Sequence, residues 1–142
     1  MEATVTLANA TADAVRTAKR QQRVGVGLSA LPVSFLLFDS VIKLIVIQPV
    51  VESFAQLGYP GSLARAIGLL EIACLTLYLL PRTAILGAIV LTGFLGGAVS
   101  THVRIGDPLF SHVLFPVYVG ALLWGGLFLR EERLRALLPF RR

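Results

Sequence analysis

The sequence predicts an all-α integral membrane protein: a bundle of four spanning helices with both termini cytoplasmic and a short interfacial helix on the outer face. Three observations carry that expectation. Of 142 residues, 56% are apolar and only 15% charged, where ordinary globular domains carry about a quarter, so much of the surface never meets water. The apolar residues gather into four runs, each near the roughly 20 residues that cross hydrocarbon. The basic residues flank those runs unequally, as they do in membrane proteins of fixed orientation.

The runs are about 24–47, 62–80, 83–101 and 108–129. Together they define a transmembrane domain over 24–130 between basic tails at 1–23 and 131–142. None alternates with the period of a strand, and backbone groups in lipid must be paired within the chain, so each run is expected to be a helix. Pro49 and Gly58 bracket the first connection, Pro81-Arg82-Thr83 makes a tight second turn, and Gly106-Asp107-Pro108 ends the third run. Asp107 before Pro108 reads as an N-cap followed by proline at the first helical position. Pro32 and Pro116 should each release a carbonyl one turn earlier and bend their helices.

Arg16, Lys19, Arg20, Arg23, Arg82, Arg130, Arg133, Arg135, Arg141 and Arg142 fall on one side of such a bundle, ten of the thirteen basic residues. That side is assigned to the cytoplasm, placing the protein in the cell (inner) membrane. Trp124 and Tyr78 are expected toward the inner interface and Tyr59 toward the outer one. The first 23 residues contain KRQQR just before the membrane; no small-residue cleavage site follows the long apolar run, so they read as a tail and not a removed signal. In the outer connection, Val50, Phe54 and Leu57 recur at helical spacing, which suggests a surface helix over the outer ends. Gly93 and Gly97 form a GxxxG pair, and Ala64 with Gly68 a second small-residue pair; both predict close helix packing.

Composition also excludes function classes. The net charge of +5 comes from residues at the chain ends with no aromatic interleaving, which argues against nucleic acid. One cysteine excludes an intramolecular disulfide, and two histidines with one cysteine do not make a structural zinc site. Cys74 reads as a small packing residue.

Lipid does not explain Asp39, Lys43 and Glu71. Unpaired and charged at mid-bilayer, the three would cost on the order of 8–10 kcal/mol. Asp39 lies eight residues from the outer end of its run and Glu71 nine, so both sit roughly 12–14 Å below the outer surface. Lys43 is one turn from Asp39 on the same face. Gly68, Glu71, Cys74 and Tyr78 share a stripe; if it faces inward, Glu71 is desolvated. His112 reaches the level of Lys43, and His102 lies at the outer end of the third run beside Thr101 and Arg104. Polar groups from all four runs are thus expected to converge in the outer half. Asp39, Glu71, His112 and His102 are the catalytic candidates; Lys43, Thr101, Arg104, Tyr59 and Tyr78 are the substrate-binding candidates. A structural reading stands beside the functional one: the same groups could only lock the helices together.

These residues sit in recognisable phrases. LLFDSVIKL (36–44), LGYP (57–60), IGLLEI (67–72), GGAVSTHVRIGDPLFSHVLFP (96–116) and LLWGGLFLR (122–130) resemble the DoxX-like family, over about residues 30–139. The resemblance implies a four-helix membrane bundle. It also implies a setting of quinone-linked redox or chaperone-like roles, of which the thiol-disulfide version lacks its cysteine pair here.

Three functions follow as expectations. The first is a binder or acid/base enzyme for a small lipophilic molecule, with isomerisation, epoxide opening or hydrolysis as suitable chemistries. The second is a quinone-contacting accessory beside an oxidoreductase partner, and the third is an assembly protein. No cofactor is predicted, quinone and haem staying open. The bilayer is the certain partner of such a chain, and a homo-oligomer stays open as well.

Overall fold

The computed structural model describes residues 2–137; Met1 and residues 138–142, with Arg141 and Arg142, lie outside it. Six α-helices follow one another: α1 (Glu2–Ile45), α2 (Gln48–Gln56), α3 (Leu63–Leu79), α4 (Ala84–Ile105), α5 (Phe115–Arg130) and α6 (Glu132–Leu137). A π-helical turn, Leu109–Val113, joins α4 to α5. Among the described residues there is no strand. Three helical stretches among the described residues are long and apolar enough to cross a membrane: Asn9–Ile45, Ala84–Ile105 and Leu109–Arg130. Helix α3, at 17 residues, is shorter.

The long helices pack in a ring. α1 lies between α3 and α5, and α4 closes the far side against the same two. Small residues set the closest approach. A Cβ on Gly126 would lie 2.2 Å from the Ser29 Oγ, and one on Gly25 would lie 2.8 Å from the Gly126 carbonyl, so the α1 and α5 backbones touch there. The Pro81-Arg82-Thr83 turn folds α4 onto α3 so tightly that a Cβ on Gly87 would meet the Tyr78 backbone nitrogen at 2.2 Å. Thr83 Oγ1 closes this turn by donating to the Leu77 carbonyl at 2.8 Å.

Tyr78 is buried at the centre of this end of the ring and is not an interfacial anchor. Its hydroxyl donates to the Leu123 carbonyl at 2.8 Å and accepts from Ser29 at 2.9 Å, tying α3 to α5 and α1. The Arg130 guanidinium covers its ring at 4.8 Å. Leu75, Leu91, Leu123 and Leu127 fill the space around it. A ring of apolar side chains points away from the bundle, including Leu31, Phe38, Leu69, Ile89 and Phe110. Such a surface suits acyl chains and not water.

Several expectations change in the structure. α1 is continuous from Glu2, so residues read as a tail extend the first long helix to 44 residues, about 66 Å. α6 folds back on the bundle, with Leu134 buried and Arg135 Nη1 donating to Gln21 Oε1 at 3.0 Å. Pro116 does not bend a helix from within; it sits in the first turn of α5, where its missing N–H costs nothing. The last run is instead broken before it, at the π-helical turn. Asp107 caps no helix. Gly106, at φ +76°, ends α4 in a left-handed turn, with Asp107 N bonded to the His102 carbonyl and Gly106 N to that of Val103, the Schellman arrangement.

Candidate functional site

Two turns of α1 and one of α3 build the centre. Asp39 and Lys43 stand one helical turn apart, and the Lys43 ammonium donates to Asp39 Oδ2. Gly68, one turn before Glu71, lets α3 come close: a Cβ there would stand 3.0 Å from both the Lys43 Cβ and the Ser40 carbonyl. That approach brings the Glu71 carboxylate to Lys43, with Nζ to Oε2 at 3.0 Å. Ser40 turns its hydroxyl back to the Leu36 carbonyl at 2.7 Å. On the opposite wall the Phe94 ring of α4 faces the ammonium, with its centroid 5.7 Å away.

Lys43 thus divides one positive charge between two carboxylates. The Glu71 side chain is fully buried, and its second oxygen, Oε1, has no hydrogen-bond partner. A buried polar atom without a partner costs about 1–3 kcal/mol, a cost that a proton on the carboxyl or a hydrogen-bond donor beside it would remove.

Glu71 lies on the wall of a half-open cavity of about 770 Å³, lined by residues of α1, α2, α3, α4 and α5. Ligand sites usually measure about 300–1,000 Å³, with mostly apolar walls and a few convergent polar groups. Here the walls carry Phe35, Leu36, Ile67, Phe94 and Val119, and the polar groups are Asp39, Lys43, Glu71, Tyr59, Thr101 and His102. α2 lies across one end of the cavity, burying Val50 and Phe54. The other end is closed by the Tyr78 core.

The α2 end carries a second polar group of residues. Tyr59 Oη donates to Thr101 Oγ1 at 3.1 Å, and Thr101 donates to the Gly97 carbonyl at 2.9 Å. Arg104 donates to the Leu57 carbonyl and lies over the Tyr59 ring at 5.6 Å; it fastens the α2–α3 connection and is not part of the cavity wall. His102 Nδ1 donates to Asp107 Oδ2 at 2.6 Å, a contact set by the turn at Gly106. His112 is exposed, bonds Ser111 at 2.8 Å and approaches the His102 ring edge-on at 5.8 Å, outside the cavity.

The structure therefore gathers Asp39, Lys43, Glu71, Thr101, His102 and Tyr59 around one space, and leaves His112, Arg104 and Tyr78 off it. Cys74 is buried but lies on the cavity wall. Among the described residues, no group of three or more His, Cys, Asp or Glu is placed to hold a metal ion. Phe94 is a wall residue that polar-residue reasoning passes over. Its signal is the hairpin register: a tight turn at 81–83 puts Phe94 level with Glu71. Gly93 and Gly97 do not serve close packing, since a Cβ on either would meet nothing within 4 Å.

Chemically, the cluster can accept a hydrogen bond from a guest at Glu71, hold a proton there, and keep the nearby Asp39 paired with an ammonium. Residues 27–126 match the model of the DoxX-like family, and the chain belongs to that family. No curated protein and no solved structure matches the chain.

Proposed function

We propose that this DoxX-like membrane protein binds a small lipophilic molecule in the cavity beside Glu71 and exchanges a proton with it there. The observation that carries the reading is the unpartnered Oε1 of a fully buried Glu71 on the wall of an otherwise apolar space. An apolar guest matches the walls, and a single donor on it completes the polar centre. Three formal charges, two negative and one positive, leave the cluster one positive charge short; a proton on one carboxylate or a cationic group on the guest supplies the balance, and a neutral donor on the guest eases the burial of the remaining negative charge. Glu71 is the group that gives or takes the proton, and Asp39, held by Lys43, is the fixed anion that steadies positive charge developing nearby. Isomerisation, epoxide opening and hydrolysis of a lipophilic substrate each need such a pair.

The same reading includes topology. α1, α3, α4 and α5 all cross the cell membrane, α3 spanning its thinner measure by local adjustment of the bilayer. Both termini lie on the cytoplasmic side, with α2 on the outer surface. Reporter fusions at residue 142 and within 57–61 test it: the first should be active as a cytoplasmic reporter, the second as an external one. The reverse pattern overturns the orientation.

The binding claim is tested by purifying the wild type, Glu71→Gln and Asp39→Asn from membranes in mild detergent and extracting bound molecules for mass spectrometry. The wild type should retain a stoichiometric lipophile that Glu71→Gln loses, with all three proteins folded. No bound lipophile in the wild type, and no thermal shift with any added lipophile, overturns the proposal.

A further inference from the structure

The cavity has three sides by which a guest could arrive, and the side chains around them differ. Toward α2, the helix itself lies across the opening with Phe54 buried beneath it, and Tyr59 is bonded to Thr101. Between α1 and α5, Phe35 and Phe115 meet edge to face at 5.1 Å, filling the gap with two rings. Between α3 and α4 the wall includes two residues without side chains, Gly93 and Gly97, where an added Cβ would meet nothing within 4 Å. There the lining residues Leu70, Gly93 and Gly97 are exposed, Leu70 by 55%. The gap is bounded on one side by the Gly87–Tyr78 backbone contact and on the other by the Tyr59–Thr101 bond, a stretch of α4 about 20 Å long. Glu71, the next residue on α3, lines the same cavity, and among the described residues its buried Oε1 lacks a hydrogen-bond partner.

We infer that the gap between α3 and α4, walled by Leu70, Gly93 and Gly97, is a side portal to the bilayer through which a single-chain lipid inserts its head to Glu71. The head donates a hydrogen bond, as a hydroxyl or an ammonium does, and the tail stays in the gap among acyl chains. This rests on the binding role proposed for the Glu71 cavity and adds the class of guest and its route. Two glycines one turn apart suit the task. They leave a groove along α4 at the depth of Glu71, and that groove holds no neighbouring helix. A carboxylate-headed chain is the wrong guest, because it would bring a third negative group to a cluster with one ammonium.

The test uses hexadecanol bearing a diazirine at mid-chain, photolysed with the full-length protein in phosphatidylcholine vesicles, and the sites of attachment mapped by mass spectrometry. Wild-type protein should be labelled on α3 and α4 around Leu70 and 93–97. Hexadecylamine and unlabelled hexadecanol should compete, and palmitic acid should not. Gly97→Leu and Gly93→Leu should lose the labelling while melting at or above the wild-type temperature, since a side chain at either position meets open space and leucine favours the helix over glycine. Labelling centred on Phe35 and Phe115, or undiminished in both leucine variants, overturns the portal while leaving binding at Glu71 in place. Equal competition by palmitic acid overturns the head-group assignment. Absence of saturable labelling anywhere, with Glu71→Gln indistinguishable from wild type, sinks the binding reading itself.

Discussion

Lys43 of α1 and Glu71 of α3 meet at 3.0 Å inside the bundle, and Lys43 also holds Asp39. One ammonium thus serves two carboxylates in a setting with little water. Removing the ammonium leaves two like charges with nothing between them. Lys43→Met should therefore cost about 3–5 kcal/mol, the usual consequence of deleting one partner of a buried pair. The triple variant with Asp39→Asn and Glu71→Gln should recover most of that loss. Thermal unfolding in detergent reads both; equal stability of the single and triple variants contradicts the shared-cation arrangement.

The glycines divide into two kinds, and alanine separates them. Gly126→Ala puts a Cβ where the Ser29 hydroxyl already lies, and it should destabilise by roughly 1–3 kcal/mol through overpacking. Gly93→Ala and Gly97→Ala meet nothing and should each stabilise their helix by about 0.5–1 kcal/mol. Melting temperatures of the three single variants give the order directly. A loss at Gly93 or Gly97 as large as that at Gly126 would mean that α4 packs against another helix there.

That contrast shows what was legible in the sequence and what was not. Four apolar runs, their turns and the apolar-outward surface follow from local composition, and so does the helix over Val50 and Phe54. A GxxxG spacing says that a side chain is absent; it does not say whether a helix or a cavity uses the space. Asp107-Pro108 satisfied the pattern of an N-cap, but the left-handed Gly106 turned the carboxylate onto His102 first. Tyr78 shared a face with Glu71, yet lies two turns along α3 from it, where the helices close on each other. An ideal α-helix puts His112 level with Lys43, and the π-helical turn at 109–113 breaks that register. Continuity of α1 through Glu2 is not legible because its first turns are alanine- and threonine-rich, a composition that reads as an exposed tail.

Tyr78→Phe removes one hydroxyl that serves Ser29 and Leu123. Ser29 then loses its buried interhelical acceptor, at a cost of about 1–3 kcal/mol. Because Tyr78 is off the cavity wall, labelling by the alcohol described above should be unchanged. A variant of wild-type stability that fails to bind would restore Tyr78 to the site.

Phe54 tests the cover over the cavity. It is 5% exposed and packs with Val50 and Ala64 in a cluster separate from the Tyr78 core. α2 is joined to α1 through Val46, a β-branched residue held at φ +57°, a conformation that costs an L-residue about 1–2 kcal/mol. The cover is therefore strained at its hinge and held mainly by its own small apolar cluster. Phe54→Ala should release α2 locally before it unfolds the ring, since segments with few buried contacts open independently of a core. Hydrogen exchange is the measurement: amides of α2 should lose protection while those of α3, α4 and α5 keep theirs, and bound lipophile should dissociate faster. Uniform loss of protection across all helices would show that α2 is part of the bundle's single cooperative core and not a cover laid over it.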